Sequence, residues 1–420
     1  MKTQRIWFVA LSVISGLTVS ADDACWPCWR GRARDDISTE KGLLSHWPAA
    51  GPKLIWSADG LGIGFSSVTI DENTIYTAGV ISNRTYVLAL TLDGRLRWRA
   101  LNGGGWNVPE DASFARGRNL EGSRATPSLD DGRVYHMNDK GRLLALDAGT
   151  GAELWAVDLT ARFQASPPKW GYAESVLIDG NRLFCYPGGT AGRLVALDKT
   201  TGRTLWVNRE IGEPPSYCSA LLVRDKGVRQ LISMSAKSVF GVDPETGRLL
   251  WRHPFRNKRG INVSTPVYYR GHVFVSSGYG RGSELLKLTY GNPRITVETV
   301  WSHKELDNHH GGVVCVGGFL YGTGSAKPRW YCIELPSGKQ RYKEKGVGKG
   351  SVTVADGRLY CLGEHGTVAL VDAKPEYQEH GRFKVPSGGK GLHWAHPVVC
   401  GGRLYLRHAD KLFVYALRPR

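Results

Sequence analysis

The chain has 420 residues, 41% of them hydrophobic and 22% charged, with 53 glycines and a formal net charge of +17. That length suffices for one large repeat domain with a sizeable core. No Lys/Arg run is long enough to argue for nucleic acid as a partner, and no long stretch keeps a 3.6-residue apolar period, so the expectation is a nearly all-β protein.

Residues 1–21 read as a signal peptide. Met1-Lys2-Thr3-Gln4-Arg5 is a basic start, Ile6 to Val19 is a short apolar run, and Val19-Ser20-Ala21 is a small-residue cleavage site. About 14 apolar residues are few for a spanning helix. The mature chain is therefore expected to be exported, periplasmic or extracellular, with no integral membrane segment after cleavage. Asp22-Asp23-Ala24-Cys25 is no lipobox, so no lipid anchor is expected.

Residues 22–51 form a lead-in segment rich in Pro, Gly and Trp, without periodicity. It holds Cys25-Trp26-Pro27-Cys28, followed by Trp29 where attachment of a c-type haem needs His. A disulfide or two unpaired thiols is expected there rather than redox catalysis. The other six of the eight cysteines lie in strand-like runs and read as small buried apolar residues.

From residue 52 to 420 the chain repeats. Ala145-Leu-Asp147-Ala-Gly-Thr150-Gly151-Ala-Glu-Leu-Trp155 reads as strand, tight turn and second strand ending on Trp. It recurs as Ala196 to Trp206 and as Gly241 to Trp251, with Gly in place of the first Ala, and in degenerate form as Ala89 to Trp98. Weaker echoes end at Trp301, Tyr342 and Phe383, and Lys53-Leu54-Ile55-Trp56 precedes them all. Successive ends are 41 to 57 residues apart, the period of four-stranded propeller blades. Trp56, Trp98, Trp155, Trp206, Trp251 and Trp301 are expected to dock between sheets. Trp106 and Trp330 fall outside the repeat positions and are expected to matter less.

Two-residue turns such as Asp131-Gly132, Asp356-Gly357 and Gly401-Gly402 mark the hairpin that opens each repeat. Eight third strands can be counted, but only seven fourth strands follow their own third strand. The missing one is Leu54–Trp56. The sequence therefore predicts an eight-bladed β-propeller of four-stranded blades, closed by an N-terminal strand.

The Ala-x-Asp-x-x-Thr-Gly-x-x-x-Trp motif resembles the docking repeat of pyrroloquinoline-quinone (PQQ) propellers, the quinoprotein or PQQ-like fold. Trp26-Pro-Cys-Trp29-Arg30-Gly31, Arg34-Asp35 and Gly51-Pro-Lys-Leu-Ile-Trp56 look like the opening of secreted PQQ-binding-like propellers of planctomycete-type bacteria, described as BamB-like. No Trp is followed by Asp, so the WD40 signature is absent. The resemblance implies a non-catalytic binding or scaffold module of the periplasm or cell envelope. The alternatives are a PQQ-dependent dehydrogenase-like enzyme and a polysaccharide-binding protein. Quinoprotein alcohol dehydrogenases carry two adjacent cysteines under the quinone, and no two cysteines are adjacent here, so no cofactor is expected. No catalytic triad, carboxylate pair or metal-spaced histidine cluster stands out, and no catalytic or metal-binding residue is assigned. Envelope proteins, an anionic polymer or a small ligand are the expected partners.

A ligand site is expected at one mouth of the central channel, where the segment before each innermost strand lies. Those segments carry Ser66, Arg124, Glu174, Ser219, Asn262, His309, His310, Lys349, His393 and His396. Trp170-Gly171-Tyr172 and Trp394 add flat apolar faces. Convergent polar groups with aromatic walls make a small-ligand pocket, and Arg124 and Lys349 favour an anion.

Overall fold

The computed structural model describes residues 26–106, 120–291 and 294–419. The expected signal peptide and Cys25 lie outside them. Among the described residues, thirty-two strands form eight antiparallel four-stranded sheets. The innermost strands define the blades in chain order: Thr69–Ile70 in blade 1, Ser128–Asp130 in blade 2, Leu177–Asp179 in blade 3 and Leu221–Asp225 in blade 4. Val267–Tyr269, Val313–Val316, Gly350–Ala355 and Val398–Cys400 begin blades 5 to 8. A short helix, Leu159–Phe163, follows the outer strand of blade 2, capped by the Asp158 carboxylate on the amides of Thr160 and Ala161.

Seven blades are built from consecutive strands. The eighth takes its outer strand from the N-terminal side: Leu54–Ala58 pairs antiparallel with Lys411–Ala416, with Trp56 opposite Val414. Closure in this way covers the edge that the last strand would otherwise expose. Middle strands are buried on both faces, and the core lies between neighbouring sheets. Phe184, Leu194 and Ala196 of blade 3, for example, pack on Leu231, Phe240 and Val242 of blade 4.

Five of the six docking tryptophans reach the tight turn of the next blade. The indole N–H groups of Trp56, Trp98, Trp155, Trp206 and Trp301 donate to the carbonyls of Leu92, Ala148, Lys199, Pro244 and Leu335, at 2.8–3.1 Å. Their rings lie over Gly94, Gly151, Gly202, Gly247 and Gly338, where an added Cβ would come within 2.5–2.8 Å of ring carbons. Phe383 of blade 7 covers Gly51 in the same manner.

Trp251 departs from the rule. Blade 5 has no such turn, because its outer strands Gly282–Tyr290 and Ile295–His303 form a long hairpin. The Trp251 indole folds back on its own sheet, donates to Gln230 Oε1 at 2.5 Å, and lies over Gly241. This explains the Gly at 241: the Cβ of Ala would collide with the indole nitrogen. The expectation for Trp330 is also corrected. It is 2% exposed and sits in the core between blades 6 and 7.

The lead-in segment does not lie outside the propeller. Residues 26–37 lie at its axis and contact all eight blades, and residues 38–51 run outward against blades 7 and 8, where Trp47 packs on Tyr360 and Phe383. Trp26 bridges Ile70 of blade 1, and Pro27 accepts from Leu129 N of blade 2. Arg34 donates to Ser175 O and Val176 O of blade 3 and Ala220 O of blade 4. Trp29 reaches Thr265 before blade 5, and Arg30 donates to Val313 O of blade 6 at 2.7 Å. Ile37 bridges Val354 of blade 7, and Asp36 meets His396 before blade 8. Arg30, Arg34, Asp36 and Glu40 are all buried.

The physical reason lies in the inner strands. Each presents one unpaired edge to the axis, and a buried carbonyl needs a donor. A guanidinium has five N–H donors on a long stem and can serve carbonyls from two blades at once.

Candidate functional site

At the channel mouth a small cavity of ≈ 140 Å³ is walled by aromatic rings. Phe65, Trp170, Tyr217, Tyr279 and Trp394 come from the blades, and Trp29 comes from the axial segment. Loops that precede inner strands hold four of them, and the loop between the second and third strands of blade 5 holds Tyr279, so the propeller scaffold fixes positions that the loops alone would not. Phe65 and Trp394 lie 5.1 Å apart at 37°, His310 and Trp394 4.3 Å apart at 36°, and Tyr279 and His309 4.9 Å apart at 66°. These contacting rings are tilted or edge-on to one another.

Five of the ten expected mouth residues line this cavity: Arg124, Ser219, His309, His310 and His396. The Arg124 guanidinium donates to Leu120 O at 2.5 Å and Gly122 O at 3.2 Å, lies 3.6 Å from Asp139 Oδ1, and faces the Phe65 ring. Burial raises the Asp139 carboxyl to about 6, although Arg124 opposes the shift. Burial, with Lys349 adding to it, lowers His309 to about 3 and His310 well below the ordinary value, so both are neutral imidazoles near pH 7. Neither ring nitrogen of His310 has a hydrogen-bond partner. The ring nitrogens of His396 face Asp36 Oδ2 at 3.2 Å and the His310 carbonyl at 2.9 Å.

The other five residues are not brought into the cavity. Lys349 stands behind it, 3.5 Å from both Glu364 Oε2 and His309 Nδ1. Ser66 is buried against Thr77 and the Ala78 amide. Glu174 turns into the sheet, where its Oε2 accepts from Tyr186 N at 2.8 Å and burial raises its pKa to about 8. Asn262 bonds Ser235 O, Phe255 O and the Ser277 hydroxyl, a purely internal set. His393 stacks flat on His408 at 3.6 Å. Tyr172, expected as a wall of the site, is buried in the core and donates to Pro187 O. The single rule of chain position failed because alternate residues point to opposite sides of an extended segment.

Sequence reasoning missed three features. Trp29 and Arg30 enter from the axial segment, and Tyr217 and Tyr279 from loops with no motif. Around the mouth, hydroxyl side chains also tie one blade to the next. Ser67 Oγ donates to His396 O, Ser67 N donates to Thr126 Oγ1, Thr126 N to Ser175 Oγ, and Ser175 N to Ser219 Oγ. The recurring Ser or Thr just before the inner strand was the available signal.

The seven described cysteines form no disulfide with one another, and no three His, Cys, Asp or Glu among the described residues cluster as a metal site. No described helix is long and apolar enough to cross a membrane.

Comparison with known proteins places this geometry. The family model described as "Outer membrane protein assembly factor BamB" matches residues 83–344, more than half of the chain. The quinoprotein alcohol dehydrogenase PedH of Pseudomonas putida is 31% identical over 148 residues, covering 33% of this chain and 24% of that protein. The chain thus spans about a quarter of the length of the dehydrogenase. The outer membrane protein assembly factor BamB of Moranella endobia is 26% identical over 274 residues, 60% of this chain and 65% of that one. Among solved structures, BamB from Moraxella catarrhalis superposes with a TM-score of 0.61 at 14% identity, covering 87% of this chain and 100% of that chain. A europium-containing methanol dehydrogenase gives 0.66 at 13% identity, covering 94% of this chain and 98% of that one. At those identities the structures speak for the fold alone.

The dehydrogenase relatives raise the question of a quinone cofactor. No two cysteines are adjacent in the chain, and no three His, Cys, Asp or Glu among the described residues cluster as a cation site. The residues present do not fit such a group.

Proposed function

The chain belongs to the family described as outer membrane protein assembly factor BamB, and on that premise we propose that it is a non-catalytic binding and scaffold propeller of the cell envelope. The observation that carries this reading is the axial segment. Residues 26–37 occupy the axis and contact all eight blades, which supports a scaffold whose recognition surfaces are its two faces and its mouth cavity. Its expected partners are other envelope proteins, and its expected location follows from the basic, apolar start of the chain.

The rival reading, a quinone-dependent dehydrogenase, is favoured by the identity to PedH and opposed by the lack of adjacent cysteines and, among the described residues, of a cation cluster. One experiment separates them. Cross-linking of the tagged full-length protein in envelope preparations, followed by mass spectrometry, is expected to enrich a small reproducible set of envelope proteins. Alcohol-dependent dye reduction by the pure protein with PQQ and calcium would overturn the scaffold reading.

A further inference from the structure

A histidine pair lies away from the mouth cavity, where the outer hairpin of blade 7 meets the outward run of the lead-in segment. The strands Thr367–Asp372 and Glu379–Lys384 form that hairpin. Trp47 N donates to His380 O at 2.9 Å and the Trp47 ring packs on Phe383, so the two segments are fixed side by side.

Four side chains join there in a row. Ser45 Oγ lies 3.2 Å from His46 Nδ1, His46 Nε2 lies 3.0 Å from His380 Nδ1, and His380 Nε2 lies 2.7 Å from Asp372 Oδ1. The protons along the row can be assigned. Against the opposing effect of burial, His380, Arg358 and Lys374 hold the Asp372 carboxyl below its ordinary value, so it is ionised and only accepts. A neutral His380 therefore carries its proton on Nε2 and turns the bare lone pair of Nδ1 toward His46. His46 has a choice, because the Ser45 hydroxyl can donate or accept. With its proton on Nδ1, facing Ser45, two bare nitrogens face one another.

Two such nitrogens make a chelate. The ring centroids lie 4.6 Å apart with the planes at 89°. Two imidazoles bound at right angles on one metal ion, each at about 2.1 Å, have nitrogens about 3.0 Å apart and ring centres about 4.6 Å apart. Those are the separations of this pair. A carboxylate on the far nitrogen, as Asp372 is on His380, is what fixes the tautomer and orientation of metal-bound histidines. His46 is exposed, which gives an ion and its waters a way in.

We propose that His46 and His380 bind a divalent transition-metal ion, copper(II) or nickel(II), and that the ion clamps the lead-in segment to blade 7. Imidazole nitrogens at a right angle select these ions over calcium and magnesium, which take oxygen ligands. Water fills the remaining positions, so the grip is weaker than that of a closed four-ligand site.

The test is calorimetric titration of the full-length protein, purified without a histidine tag and stripped with a chelator, with nickel(II) chloride near neutral pH. One equivalent is expected to bind with Kd at or below about 100 µM. His46→Ala removes an exposed ligand, and is expected to lose at least tenfold in affinity while keeping the metal-free melting temperature. His380→Gln is expected to lose as much; where that variant fails to fold, His46→Ala decides alone. With one equivalent of copper(II), electron paramagnetic resonance is expected to show two coupled nitrogens in the native protein and no such pair in His46→Ala. Nickel(II) is also expected to raise the melting temperature of the native protein and to leave that of His46→Ala unchanged. Absence of saturable nickel(II) binding would overturn the proposal. So would binding that survives His46→Ala unchanged, the mark of an adventitious ion only, and equal melting shifts in both proteins would remove the clamp.

Discussion

The blades and the segment that runs between them are both buried, but by opposite means. A blade buries alternating apolar side chains, satisfies its backbone with neighbouring strands, and ends on an indole seated over the next blade's turn. The segment makes two isolated bridges to the sheets, at Ile70 and Val354, a few further backbone hydrogen bonds and apolar contacts through Trp26, Leu43 and Trp47, and at the axis it holds its place with buried charged side chains. Arg30 and Asp36 pair at 2.6 Å with side chains about 1% exposed. The inner strands already use their apolar faces within and between sheets. What they leave toward the axis is a ring of carbonyls and amides, and only polar groups can pair with those.

That contrast can be broken most forcefully by removing the segment. Deletion of residues 26–58 takes away both the axial contacts and the closing strand, and is expected to abolish cooperative melting by circular dichroism. A comparable transition in the truncated chain would show that the blades stand alone. Breaking the segment electrostatically is the next largest change. Asp36→Ala leaves Arg30 and His396 without their carboxylate, and is expected to cost about 3–5 kcal/mol by chemical denaturation. Asp198→Ala removes an exposed turn acceptor of the Thr200 and Thr201 amides, and is expected to cost only about 1 kcal/mol. Similar costs would erase the distinction between the two regions.

Within the blades, Trp330→Ala empties a fully buried site and is expected to cost about 3–5 kcal/mol, at least as much as Trp155→Ala at a partly exposed docking position. Glu174 probes the mouth-facing end of a blade. Its carboxyl is raised by burial from 4.5 to about 8, so the folded chain retains a proton that the unfolded chain releases. Stability from this group is present below the unfolded value and falls as pH rises from about 4.5 through about 8. Glu174→Gln is expected to flatten that fall, gaining on the order of 3 kcal/mol over the native protein near pH 8. An unchanged slope would place the charge elsewhere. A modest effect is also the least intuitive. Gly241→Ala restores the repeat motif yet is expected to destabilise by about 1–3 kcal/mol, because the methyl meets the Trp251 indole. A stabilised variant would mean that Trp251 can dock as the others do.

The blades were legible because their physics is periodic. A two-residue alternation, a hairpin turn and an indole recur every 41 to 57 residues, and counting third and fourth strands was enough to place Leu54–Trp56 beside Leu412–Tyr415. The axial segment was not legible, since its partners are backbone atoms of six or more distant turns of sequence and carry no residue signature. The site was half legible. Arg124, His309, His310 and His396 converge as expected, but Glu174, Asn262 and His393 are spent on internal contacts that depend on which way one extended residue faces. Trp29 and Arg30 were quoted for their family resemblance, and nothing in the sequence put them beside Trp394.

The account stands most directly on the axial segment being part of the folded core. Native-state hydrogen exchange read by mass spectrometry on peptides covering residues 26–44 measures this. The Trp26, Asp36, Ser38 and Leu44 amides donate to Ile70 O, Arg30 O, Val354 O and Leu417 O, and the account predicts that they exchange as slowly as the inner strands of blades 1 and 7, by global unfolding. Exchange of this peptide orders of magnitude faster than those strands, under conditions where the blades stay protected, would contradict it.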